Sequence, residues 1–173
     1  HGRSIWIASV KEVQQLTDTL MQKQLYVFEL KDKQYSEKWG KTESKFSDKL
    51  IEDKLQIPFW TKTNGTVVIE VKTDSGLVLR TFNDTTVKGI NYFEYDLSID
   101  TLNVKSYIDY LNAVNKDKEN MVKVEKAENG NYYLMPNKYL IRITDKSTGI
   151  TISKEFKVKE PEKSIRETPL SEE

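Results

Sequence analysis

The chain has no cysteine and a single histidine, His1. The first absence removes disulfide staples, thiol nucleophiles and thiolate metal sites together. The second leaves zinc short of its usual nitrogen ligands, and His1, at a terminal position prone to fraying, is a poor general base. An excess charge of either sign is also missing: 27 Lys and Arg balance 27 Asp and Glu. No net field steers such a chain onto nucleic acid or anionic lipid. No apolar run approaches the length of a bilayer span, so no membrane insertion is expected. A Walker loop, a dinucleotide fingerprint, a nucleophile elbow and a D-x-D-x-D-G calcium loop are all lacking. No cofactor, no metal and no catalytic residue is therefore assigned.

What is present is a polar globular composition, 37% hydrophobic and 31% charged, on 173 residues. That suits one core of ordinary size with some extra structure. The clearest signal runs from Gly65 to Phe82. Val67, Ile69 and Val71 alternate with Val68, Glu70 and Lys72, the period of a strand with one buried face. Asp74-Ser75-Gly76 supplies a tight reversal, and Leu77 to Phe82 returns as a second strand. A polar turn is expected over Asn83–Thr86. Gly89 to Leu97 alternates again, with Phe93, Tyr95 and Leu97 inward. Val104, Tyr107, Ile108, Leu111 and Val114 then fall at helical spacing. Met121–Ala127 alternates as a strand, Asn129-Gly130 makes a hairpin turn, and Asn131–Leu134 is its returning arm. Lys138–Thr144 places Tyr139, Ile141 and Ile143 on one face. The last strand, Ile150–Val158, keeps Ile150, Ile152, Phe156 and Val158 in phase, with Lys154 as an inward lysine that discourages edge pairing.

Upstream, Ser4–Ala8 reads as a short buried strand. Ser9–Gln22 reads as one helix with Val10, Val13, Leu16 and Leu20 on its apolar stripe and a capping box from Ser9 to Glu12. Leu25–Leu30 is another strand, and Lys31–Leu50 an irregular, charged segment pinned by Tyr35, Trp39 and Phe46. Pro58 lacks an amide donor, which places Ile57–Trp60 on an edge or entry strand. The fold expected is mainly β: an antiparallel, Ig-like β-sandwich over residues 57–160, with an N-terminal helix and one inserted helix. Residues 10–56 connect, and 161–173 form a tail or linker.

Few residues invite chemistry. Glu94 and Asp96 read as exposed strand residues, and Asp74 as part of a turn. The sequons at Asn64 and Asn83 read as turns. Aromatics are more suggestive: Trp39, Trp60, Tyr132 and Tyr133 are the candidate contacts to a ligand or a neighbouring domain, since adjacent Tyr132 and Tyr133 face opposite sides of a strand.

Two stretches carry a resemblance. His1–Ser9, HGRSIWIAS, resembles the closing strand of a sortilin-type or BNR-repeat β-propeller. Val67–Phe82, Gly89–Leu97 and Met135–Pro161 resemble the Ig-like, fibronectin III-like module that follows such propellers in exported bacterial proteins often labelled glycosyl hydrolases, and also the Ig-like domain of flagellar hook-capping proteins. Two departures stand out, Tyr95 where the family has tryptophan and Pro136-Asn137-Lys138 where it has Pro-Gly before the tyrosine. The resemblance implies a noncatalytic module, cut from a longer secreted, periplasmic or cell-surface protein, whose partner is the N-terminal β-propeller of the same chain. Its alternative implication is a carbohydrate-binding module that targets polysaccharide for a parent glycosyl hydrolase.

Overall fold

The structure, a computed structural model, describes residues 10–117 and 119–161. The strand expected over Ser4–Ala8, the start of the capping box at Ser9, His1 and the tail beyond Pro161 lie outside them. In chain order the strands are β1 (Leu25–Val27), β2 (Lys33–Gln34), β3 (Thr42–Ser44), β4 (Ser47–Leu50), β5 (Leu55–Thr61) and β6 (Gly65–Thr73). There follow β7 (Val78–Thr86), β8 (Gly89–Tyr95), β9 (Ser98–Ile99), β10 (Tyr132–Tyr133), β11 (Asn137–Asp145) and β12 (Thr151–Lys159). The helices are α1 (Val10–Gln14), α2 (Asp18–Met21) and α3 (Val104–Val114).

Alternation builds the two main sheets. One has the order β1-β5-β8 and the other β2-β12-β11-β6-β7. Every pairing is antiparallel except that of β2 with β12. Assigned as strands A-B-E opposite G-F-C-C′, with β2 as a parallel A′ strand beside G, this is the immunoglobulin-like sandwich. Val67, Ile69 and Val71 of β6 and Tyr139, Ile141 and Ile143 of β11 share one core with Leu55, Ile57 and Phe59 of β5. All are fully or almost fully buried, and each side chain so buried contributes about 1.5–3 kcal/mol.

A second feature marks the fold. The Tyr139 hydroxyl donates to the Met135 carbonyl at 2.6 Å, and the Met135 amide donates to Tyr107 Oη at 2.9 Å. The two hydroxyls touch at 2.5 Å. Because the single Tyr139 hydroxyl proton is committed to Met135, Tyr107 must donate to Tyr139. The result is a closed ring of hydrogen bonds, the tyrosine corner at the start of strand F, extended by one residue from α3. Burial pushes both phenols well above their ordinary range. Asn137 begins β11, paired with Val158, and takes no left-handed conformation.

Several expectations are corrected. Pro58 sits in the central strand of its sheet, between β1 and β8. Its carbonyl accepts from the Phe28 amide at 3.0 Å, and in a strand the N and O of one residue face the same neighbour. The missing donor therefore points at β1, whose ladder stops at Val27, while pairing with β8 is unaffected. Asn83–Thr86 is the end of β7, in register with Gly65–Val68, so the Asn83 sequon lies on a strand rather than a turn. Lys31–Leu50 carries β2 and the β3–β4 hairpin, and β1 and β2 join the two sheets, so the sandwich takes strands from the expected connector. Phe46 pins nothing; it is 100% exposed at the hairpin tip.

The expected N-terminal helix breaks into α1 and α2. Thr17 caps the second, its Oγ1 accepting from the Leu20 amide at 3.2 Å. Leu20 packs with Phe28 and Trp60 in a small separate cluster, joined by Leu16, Tyr26 and Ile90. Val10 and Val13 turn outward, 69% and 48% exposed, while Glu12 is buried. Lys154 does face inward, opposite Ile141, and its Nζ meets Glu29 at 2.5 Å.

Candidate functional site

The connection from β8 to β11 starts with a strained residue. Leu97 is fully buried with φ 63°, a conformation that costs a branched side chain about 1–2 kcal/mol. Asp96 stabilises the bend: its Oδ1 accepts from Ser98 N at 3.1 Å, Ser98 Oγ at 2.8 Å and Arg80 Nη1 at 2.8 Å. The chain then forms β9, a 3-10 turn and α3, and returns to β10, which pairs with β9.

The return passes beside the excursion between β2 and β5, and the two clasp each other. The Gly40 carbonyl accepts from the Asn129 amide at 3.0 Å. Thr42 donates to Glu128 Oε2 through its amide at 2.9 Å and its hydroxyl at 3.0 Å, which holds the Glu128 carboxyl below its ordinary range. Asn129 Nδ2 donates to Tyr133 Oη at 2.7 Å. Gly40, at φ 73°, is what permits the approach: a Cβ there would lie 2.7 Å from both Asn129 Oδ1 and Tyr133 Cε2.

Beside the clasp lies an open cleft of about 310 Å³. Trp39 lies deepest, 4% exposed, with Tyr35 edge-on at 5.6 Å and Tyr133 tilted at 6.1 Å between ring centroids. Val124 and Met135 complete the apolar lining; Glu37, Lys41, Lys123, Glu125 and Lys126 supply exposed charges. The Tyr35 phenol is held above its ordinary range, first by burial and then by the carboxylates of Glu37, Glu160 and Glu125.

Of the four candidate aromatics, the structure brings Trp39 and Tyr133 into this cleft. Tyr132 is half-buried against the main core. Trp60 is elsewhere, 7% exposed in the small cluster, its indole Nε1 donating to the Lys23 carbonyl at 3.1 Å. Glu94 pairs with Lys54 at the surface, and Asp74 is in the β6–β7 turn, where Gly76 takes φ 93°. No group of three or more metal-ligating side chains occurs among the described residues. Tyr35 was legible as a pinning aromatic, but not as a wall of this cleft. The only local signals for the clasp are Gly40 beside Trp39 and the Asn129-Gly130 turn.

No protein-family model matches the chain, and no curated protein is significantly similar to it. The class of protein is therefore given by the fold alone: a mainly β, immunoglobulin-like sandwich with few helices.

Proposed function

We propose that the chain is a noncatalytic accessory module of an exported bacterial propeller protein, packing against the propeller or spacing it from the cell surface. The observation that carries this proposal is where the large aromatics have gone. Tyr95, Tyr107 and Tyr139 are buried in the main core and Trp60 in the small cluster beside it, so most of the large aromatics are committed to packing. The outward Val10 and Val13 of α1 add support, since they lie next to the propeller-like string and face away from the core. The accessory reading is supported over carbohydrate binding because Trp60 is buried, with its indole N–H taken by the Lys23 carbonyl, and has no exposed face to stack on a sugar.

The test is hydrogen exchange on Val10–Met21 in the parent protein and in the isolated 173-residue chain. Slower exchange in the parent is expected. Identical exchange, together with saturable binding of an oligosaccharide that Tyr133→Ala abolishes, would replace the structural role with sugar recognition.

A further inference from the structure

One segment read from sequence as a strand finds no strand to pair with. Met121–Ala127 lies in no sheet, and among the described residues the main chain of Lys123, Val124, Glu125 and Lys126 has no hydrogen-bond partner. The alternation is expressed from Met121 to Glu125, with Val122 and Val124 turned inward and Lys123 and Glu125 exposed, and ends at the exposed Lys126. Both ends are fixed. The Asn112 side chain clamps Val122, accepting from its amide at 2.8 Å and donating to its carbonyl at 3.2 Å. At the other end the Ala127 amide donates to the Asn131 carbonyl at 2.8 Å. A run tethered at each end, with unpaired main-chain donors and acceptors between, can accept a further strand.

The aromatic cleft runs along this same segment, since Lys123, Val124, Glu125, Lys126 and Ala127 all line it. Lys41, Lys123 and Lys126 line it together with Glu37 and Glu125, and Glu160 lies near enough to act on Tyr35. None of the five lining charges is in an ion pair among the described residues. We propose that the cleft is a docking groove for an extended peptide of another protein, which adds as a strand to Lys123–Lys126. The peptide carries an apolar side chain that enters between Tyr35 and Tyr133 toward Trp39, flanked by acidic residues that meet the lysines. Main-chain pairing supplies affinity and the pocket supplies selectivity. A sugar would use the tyrosines but leave the open main chain of the template without its matched, regularly spaced partners.

The experiment uses a fluorescein-labelled heptapeptide of alternating valine and glutamate with a central tyrosine, and a twin N-methylated on alternate amides. Expected are saturable anisotropy with the full chain and slowed amide exchange confined to Lys123–Lys126. Affinity should fall about tenfold for the N-methylated twin, the loss equivalent to one or two hydrogen bonds, and fall also with Lys123→Glu, which is exposed and leaves the fold intact. Equal binding of the twin would overturn the proposal, as would absence of saturation. Slowed exchange at Lys123–Lys126 with xylohexaose or laminarihexaose, but not with the peptide, would assign the groove to sugar instead.

Discussion

Ile141 and Gly40 mark two regions that hold together by different means. Around Ile141, strands from both sheets stack apolar side chains, and each contact is replicated by neighbours one register step away. Around Gly40, a handful of polar contacts and one close approach join segments far apart in sequence, as in the Thr42–Glu128 pair at a separation of 86 residues. A packed interior spreads a defect over many partners, whereas a clasp concentrates it in one or two. The core therefore sets the global stability, and the clasp sets whether the cleft exists.

Substitutions can be chosen to separate the two. Ile141→Ala, at a fully buried site between β6 and β12, should cost about 3–4 kcal/mol of global stability in urea unfolding. A loss below about 1 kcal/mol would mean that the interleaf core is not where the stability lies. Gly40→Ala meets both the left-handed backbone and the 2.7 Å contacts, so a cost of about 2 kcal/mol is expected. Its signature differs: near-UV circular dichroism from Trp39 should change while far-UV signal from the sheets persists.

Acid tests a tie within the first region, where the Gln24 side chain, next to β1, donates to Asp145 at the end of β11 at 2.9 Å. Burial raises the Asp145 carboxyl, but hydrogen bonds from Ser147, Gln24 and Thr148 outweigh it and bring the group down to about 2. Because the folded value lies below the ordinary 3.8, the unfolded chain binds the proton first. The contribution is complete above about pH 4 and is lost as pH falls toward 2, amounting to roughly 2 kcal/mol. Asp145→Asn should flatten stability over that window, and an unchanged slope would contradict the assignment. Tyr139→Phe breaks the hydroxyl ring while keeping the ring packing, and should cost about 1 kcal/mol by thermal or urea unfolding. Lys54→Ala removes only an exposed ion pair to Glu94 and should fall within about 0.5 kcal/mol of the parent.

The same contrast explains what could be read from sequence. β6, β11, β12 and α3 were legible because each buries one face, and burial imposes a period of two or 3.6 on the residues themselves. Pro58 was misplaced because a missing donor blocks one neighbour of a strand and leaves the other untouched. Asn83–Thr86 looked like a turn because that end of β7 pairs only with β6 and presents polar side chains. In Met121–Ala127 the alternation holds as far as Glu125 but the expected pairing does not form, since local pattern says which face is buried and nothing about which strand lies alongside. The cleft was not legible at all. It depends on Gly40 meeting Asn129 and Tyr133, a long-range approach with no local period. Only Trp39 and Tyr133 among the candidate residues reach it, and their meeting follows from that approach rather than from their own spacing.

Native-state hydrogen exchange with and without Gly40→Ala tests the division between core and clasp most directly. The amides of β6 and β11 should exchange only through global unfolding. Those of Gly40, Thr42 and Asn129 should exchange through a smaller local opening, and Gly40→Ala should lower that opening energy alone. Equal protection in both regions, falling together in the variant, would contradict the division and make the clasp part of one indivisible core.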